Sequence, residues 1–368
     1  MSAGTIEYSS ATGRGVVLAA VLGSGMAMLD GTVVNVALKT IGKDLGASLA
    51  QLQWITNGYL LMLASLILLG GALGDRLGRR RVFVVGVVWF MVASLVCGIA
   101  PDVRLLIIAR VLQGVGGALL TPGSLAIIEA VFVPADRGRA IGSWTGLGSI
   151  AAALGPFVGG GLVQYADWRW IFLINAPIAA LTVAATWRFV PETRTTSEGR
   201  FDVPGAVLAA LSLGGLTYWL IEWHSQLALP ALAVGVLAGT GFVLVERRSA
   251  HPMMPLTLFA SRTFSAANAM TLLVYAALGA VTFFLVLDLQ TVLGYGALEA
   301  GMSLLPITVL MLLLASRGGQ LGSRIGPRIP MTAGPLVMAV AVAWLSRVGA
   351  GTSYWTGVVP PLVVFGVG

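Results

Sequence analysis

The sequence predicts an all-α polytopic membrane protein with two related six-helix blocks, an inserted helix pair between them, and the last two helices missing. Only 10% of its 368 residues are charged and 57% are apolar, whereas an ordinary soluble domain carries about 25% charge. Its mean hydropathy of +0.91 comes from recurring apolar stretches of about 20 residues, each long enough to cross a hydrocarbon core of about 30 Å as a helix. A ten-residue segment also recurs 248 positions further on. The 48 glycines and 16 prolines fit this class, because bundled membrane helices use small residues for close backbone contact and tolerate proline kinks.

The first block, residues 1–190, contains spans predicted near 15–38, 51–73, 82–100, 103–128, 138–163 and 169–190. Glu7 precedes Arg14 without the basic, apolar, small-residue order of a cleaved signal, so the first stretch reads as a true span. The segment 191–263 holds the inserted pair, near 203–223 and 227–246, between polar flanks 191–202 and 247–263. A partial second block, 264–368, holds four spans near 264–288, 300–321, 329–347 and 354–368. Because the second block stops after its fourth helix, the expectation is a fourteen-helix protein of which the chain lacks two.

The repeat supports the block division. Gly71–Arg80 aligns with Gly319–Arg328, sharing six of ten residues, and Gly114-Val115-Gly116 recurs as Gly366-Val367-Gly368. Basic residues give the orientation. One set of alternate loops carries sixteen Lys and Arg, the other five, which places the N-terminus in the cytoplasm. The expected setting is a plasma membrane, the bacterial inner membrane.

Several function classes drop out. The basic residues form short clusters between spans rather than a stripe with interleaved aromatics, so no nucleic-acid partner is expected. One cysteine, Cys97, excludes a disulfide framework or thiolate metal site. His224 and His251 lack metal-protease spacing, and no phosphate-binding G-x-x-x-x-G-K-[ST] run exists. The chain is expected to be no enzyme and to need no cofactor; uphill work must draw on an ion gradient or a partner.

Asp30 lies inside the first span, where a carboxylate costs roughly 2.5–3.5 kcal/mol and must face a cavity or a counter-charge. Counted from the predicted outer ends, Asp30 is eight residues deep and Arg110 seven, which is about 12 and 10 Å. The pair reads as a proton switch or as a static ion pair fixing helix packing. Gln113, three residues after Arg110, shares its helix face. Gly71, Asp75, Arg76, Gly78, Arg79 and Arg80 form a tight loop read as a latch that pairs with neighbouring helix ends; Ser323, where the first copy has Asp75, predicts a weaker second latch. In the fifth span, glycines spaced i, i+4 (142/146 and 155/159) predict close approach of a neighbouring helix, with a bend at Pro156. Asn35, Trp54, Asn57, Gln113 and Asp288 are substrate-contact candidates, with an interfacial belt or solvated helix end as the plain alternative for Trp54, Asn57 and Asp288.

Together these residues resemble the major facilitator superfamily, in its fourteen-helix drug:proton antiporter branch of the EmrB/QacA type. Leu29–Leu38 resembles that branch's first-helix motif, Gly71–Arg81 the superfamily's loop motif, Arg104–Gly114 the fourth-helix motif and Gly148–Gly160 the fifth-helix antiporter motif. The resemblance implies proton coupling at Asp30 and Arg110, gating at Gly71–Arg80, and an antiport role for Gly148, Gly155, Pro156, Gly159 and Gly160. Lys39 stands where the branch usually has proline, and Asp288 where an uncharged residue is expected. The expected activity is export of lipophilic, including cationic, small molecules in exchange for protons, with the lipid bilayer as the surrounding partner and accessory export proteins left open. A transporter of one metabolite and a non-transporting sensor or partner subunit are the alternatives.

Overall fold

The computed structural model describes residues 6–194, 202–249, 254–326 and 328–368. Among the described residues the regular structure is helical, apart from a single bridge between Ile6 and Phe132. In order, the helices are α1 (Ala11–Leu45), α2 (Leu49–Leu77), α3 (Arg79–Gly98), α4 (Val103–Val131), α5 (Pro134–Tyr165), α6 (Trp170–Leu173) and α7 (Asn175–Phe189). They continue as α8 (Val203–Ile221), α9 (Ala228–Arg248), α10 (Arg262–Thr291), α11 (Ala297–Met302), α12 (Leu305–Ile325), α13 (Arg328–Leu345) and α14 (Val359–Val367). Among the described residues ten helical stretches are long and apolar enough to span a bilayer, with α6 and α7 counted as one. The protein is a multi-pass membrane protein.

Local chemistry sets the helix ends. Ser10, Ser48 and Asp102 accept hydrogen bonds from the first-turn amides of α1, α2 and α4, and Gln51 completes a capping box with Ser48. Gly78, at φ 112°, is the only residue between α2 and α3, and Gly326, at φ 83°, stands at the matching place after α12. Each adopts the left-handed backbone that a side chain disfavours, so each sharp reversal requires glycine.

Four expected spans change. The first runs on past 38 to Leu45, because Lys39–Leu45 is a polar helical extension that hydropathy does not register. The sixth is broken at Ile174 into α6 and α7, and the span expected at 300–321 is split into α11 and α12. Pro177 and Pro306 explain both breaks, since proline in a first turn removes a donor to the preceding helix. The last expected span begins as a π-helical turn, Tyr354–Val358, before α14.

The chain forms two compact units. Within the described residues the first takes in the chain up to Val34, Ile41–Gly155 and Arg169–Leu256; the second takes in Asn35–Thr40, Pro156–Trp168 and Thr257–Gly368. In the first, α4 packs on α2 and α3, α7 on α3, and the pair α8–α9 on α2. Met26, Phe83, Phe90, Leu120 and Phe132 form its core. In the second, α14 packs on α12 and α13, around Leu285, Val286, Leu289, Leu362 and Phe365.

The repeat is reproduced in packing. A Cβ on Gly114 would meet Tyr59 and Met62 of α2, and one on Gly366 would meet Ile307 and Leu310 of α12. A Cβ on Gly116 would meet Phe90, and one on Gly368 would meet Met338. Tyr59, Met62 and Phe90 become Ile307, Leu310 and Met338 at the sequence offset of 248. The same three-helix contact is built twice.

Candidate functional site

Asp30 and Arg110 meet in the interior of the first unit, both fully buried. The Arg110 Nη1 donates to Asp30 Oδ2 in a short ion pair and to Gln113 Oε1 at 2.7 Å. Its Nε donates to the Ile55 carbonyl of α2 at 3.0 Å. The guanidinium lies over the Tyr59 ring, 4.4 Å from the centroid, and 5.7 Å from that of Phe172. These rings supply cation–π attraction to a cation out of reach of water. Nη2 has no hydrogen-bond partner.

Asp30 Oδ1 accepts two more hydrogen bonds, from Gln113 Nε2 at 2.9 Å and Asn175 Nδ2 at 3.0 Å. Every partner of Asp30 is a donor, and hydrogen bonds to a charged group are about twice as strong as neutral ones. The cluster extends to α3, where Cys97 Sγ donates to Gln113 Oε1 at 3.7 Å. Asn175 Nδ2 also donates to Ser94 Oγ at 2.9 Å. Helices α1, α2, α3, α4 and α7 thus meet at one acid.

Asn175 and Ser94 are absent from the sequence-based candidates. Asn175 opens α7 beside the break at Ile174, five residues from the start of α6. The signal that finds it is depth: a neutral amide in a span, level with Arg110, which stands seven residues into α4.

A second construction joins α1 to α5. Pro156 has no amide hydrogen to give the carbonyl four residues back, that of Ala152. The Thr32 hydroxyl lies 3.1 Å from this freed carbonyl and shares its one hydrogen between it and the Leu29 and Met28 carbonyls of its own helix, at 3.0 and 3.3 Å. Gly155 leaves room for Thr32, since a Cβ there would collide with the hydroxyl oxygen. Gly148 faces Met28, whose Sδ would lie 3.3 Å from an added Cβ. In the second unit, Gly160 packs against Leu298 and Pro156 against Gly301, and Gly159 is buried. The expectation of close approach at 142/146 is corrected: both glycines are exposed, and no neighbouring atom lies within 4 Å of an added Cβ. Among the described residues nothing packs on α5 at these two positions.

In the gating-loop candidate, Asp75 pairs with Arg79 at 2.7 Å across the α2–α3 turn. The neighbouring helix end contributes Glu192, which follows α7 and accepts the Arg80 amide at 3.1 Å. Glu192 also lies 3.7 Å from the Arg81 guanidinium. Arg76 is partnered too. Gly71 faces Pro122 of α4, and a side chain on Gly78 would strike Glu192. The Ser323 side chain and His251 lie outside the described residues.

The substrate candidates scatter. Gln113 belongs to the charge cluster. Trp54 packs on Tyr218 of α8, ring centroids 6.0 Å apart, which ties α2 to the inserted pair. Asn57 and Asp288 are half-buried. Asn35 is half-buried with its Oδ1 unpartnered. Lys39 keeps α1 helical and donates to the Gln290 carbonyl in the last turn of α10, while Gln290 Nε2 donates to Val36 O at 2.9 Å.

Residues 20–368 match the profile of the Major Facilitator Superfamily. The chain is 39% identical over 350 residues to the tetracenomycin C resistance and export protein of Streptomyces glaucescens, covering 92% of the chain and 65% of that protein. It is 38% identical over 365 residues to a puromycin resistance protein of Streptomyces alboniger, covering 96% and 71%. It is 36% identical over 330 residues to the multidrug resistance protein Stp of Mycobacterium tuberculosis, covering 88% and 62%. The chain thus spans about two thirds of the length of these relatives. Among solved structures, a peptide transporter crystallised with sulfate superposes with TM-score 0.70 at 17% identity, covering 98% of the chain and 81% of that one. The xylose transporter XylE of E. coli superposes with TM-score 0.61 at 16% identity, covering 96% and 83%. At such identities these two show the fold.

Proposed function

The chain belongs to the Major Facilitator Superfamily, a family of transporters rather than enzymes, and on that premise we propose proton-driven export of lipophilic small molecules by alternating access. The observation that carries this reading is the buried Asp30–Arg110 cluster, an acid and a guanidinium paired with no exposed surface inside two apolar spans. Relatives named for antibiotic resistance and export support the cargo class. The pair α8–α9 between the two blocks supports the fourteen-helix drug:proton antiporter branch. The excess of arginine in one set of loops supports a cytoplasmic N-terminus in a bacterial inner membrane.

The cycle runs on charge compensation. While Asp30 is ionised, donors from α4 and α7 hold α1 against both helices. A proton from the outer side neutralises Asp30 and leaves Arg110 a buried cation without its counter-charge. Removing one member of a buried pair costs about 3–5 kcal/mol, so the protonated cluster favours a rearranged packing of α1 on α4. Proton release inside restores the pair. The proton gradient supplies the energy, no cofactor takes part, and Gly155 with Pro156 gives α5 the pliable contact through which α1 moves.

The test is Asp30→Asn in everted membrane vesicles given an imposed pH gradient and a fluorescent lipophilic cation. We expect insertion into the membrane to be retained and gradient-driven uptake to be lost. Undiminished gradient-driven uptake by this variant would remove the coupling role.

A further inference from the structure

Asn175 presents two features that the ion pair alone does not require. Its Nδ2 uses both hydrogens, one on Asp30 Oδ1 at 3.0 Å and one on Ser94 Oγ at 2.9 Å. Its Oδ1 is buried with no partner. An amide can present either end, and here it leaves a carbonyl unsatisfied in the interior in order to face the acid with its donor. Ser94 explains the choice. Its hydroxyl donates to the Phe172 carbonyl at 2.9 Å, which leaves only an acceptor lone pair toward Asn175. The chain of bonds runs from Phe172 O through Ser94 and Asn175 to the Asp30 carboxylate, each link fixing the polarity of the next.

The remaining ionisable groups around Asp30 are few. On its own helix there is none between Arg14 and Lys39. From α4 comes Arg110, from α2 the Tyr59 hydroxyl, which donates to Ala27 O at 3.2 Å, and from α3 the Cys97 thiol, bonded to Gln113. From α7 comes the neutral Asn175 alone, since the single charge of that helix, Arg188, stands at its far end. A hydrogen bond donated to the ionised form of an acid stabilises that form.

We propose that Asn175 is a positioning residue, locked by Ser94 with its donor toward Asp30, which sets the pH at which the acid takes up its proton. This rests on the proton-coupled reading of the cluster. Arg110 makes the pair; Asn175, the only donor from α7, decides how acidic the outer side must be before the pair opens.

The experiment measures gradient-driven uptake of the same lipophilic cation against luminal pH in everted vesicles, whose lumen faces the protein's outer side, bearing the native protein, Asn175→Leu, Ser94→Ala, Ser94→Thr and Asp30→Asn. Asn175→Leu is expected to move the half-maximal pH alkaline by about one unit, a tenfold rise in proton affinity, in line with the loss of a charge-assisted hydrogen bond. Ser94→Ala moves it the same way by less, and Ser94→Thr restores the native profile. A merely structural role lowers the maximal rate and leaves the midpoint in place. If Asn175→Leu fails to fold, Ser94→Ala and an infrared titration of the Asp30 carboxyl carry the test. An unmoved or acid-shifted midpoint, with Asp30→Asn inactive, overturns the role of Asn175 alone; an active Asp30→Asn overturns the coupling reading beneath it.

Discussion

Thr32 joins two helices through one hydroxyl. Pro156 frees the Ala152 carbonyl, and the Thr32 hydroxyl reaches it from outside α5 at 3.1 Å, with the Leu29 carbonyl at 3.0 Å as the competing acceptor. Thr32→Val keeps shape and removes the donor, leaving a carbonyl unsatisfied at a cost of about 1–3 kcal/mol. Thr32→Ser retains the bond. Thermal unfolding of the purified proteins in detergent should show a lower midpoint for valine and a near-native one for serine. A valine variant as stable as the native protein would mean that water or a helical donor serves the carbonyl instead. Residues of this kind differ in how far the sequence exposes them. Asp30 and Arg110 stand out because a charge in an apolar run has a large solvation cost. Asn175 and Ser94 are neutral, carry little hydropathic penalty, and acquire their meaning from partners 145 and 81 positions away. Thr32 sits inside a motif, but its partner is a backbone carbonyl that becomes available only because a proline lies four residues further along another helix.

At the scale of helices, glycine separates into contacts that need it and contacts that do not. A Cβ on Gly116 would stand 2.6 Å from the Phe90 amide nitrogen, and one on Gly86 2.8 Å from that of Leu120. Those are backbone atoms, so the α3–α4 crossing must widen to admit a methyl group. Gly116→Ala and Gly86→Ala are expected to lower stability by at least about 1 kcal/mol. Gly142→Ala and Gly146→Ala, with open space beyond them, should stay within about 0.5 kcal/mol of native or gain slightly from the better helix former. Unfolding midpoints of the four variants check the division, and equal losses at all four positions would sink it. Spans were readable because their lengths follow from bilayer thickness. Their ends were less so: Lys39–Leu45 continues α1 with polar residues that no hydropathy window includes. The i, i+4 glycine spacing misled at 142/146 for a related reason, since spacing names a helix face without saying whether another helix is there. The loop glycine was plain, because a positive φ is required at Gly78 and again at Gly326.

Across the whole molecule, the two units repeat a backbone contact while differing in what they bury. Gly114 and Gly116 correspond to Gly366 and Gly368 at an offset of 252, four more than in the preceding helices, and this offset carries Arg110 and Gln113 to Leu362 and Phe365. Leu362 and Phe365 are core residues of the second unit. Among the described residues the second unit thus repeats the scaffold of the cluster without its charge, and the proposed cycle assigns proton exchange to the Asp30–Arg110 pair. Asp288, half-buried near the end of α10, is then free of that duty. A carboxylate near a lipophilic cation attracts it, and a tenfold preference needs only about 1.4 kcal/mol, a modest share of the ~4 kcal/mol that two charges 4 Å apart gain at an effective dielectric of 20. Asp288→Asn is accordingly expected to lower export of lipophilic cations about tenfold relative to neutral compounds of similar size, while the pH midpoint of uptake stays where Asp30 sets it. Parallel vesicle assays with one cationic and one neutral fluorescent cargo, each titrated with pH, separate the two effects. A shifted midpoint in Asp288→Asn would assign proton exchange to both units, and an equal loss for both cargoes would deny Asp288 any part in choosing between them.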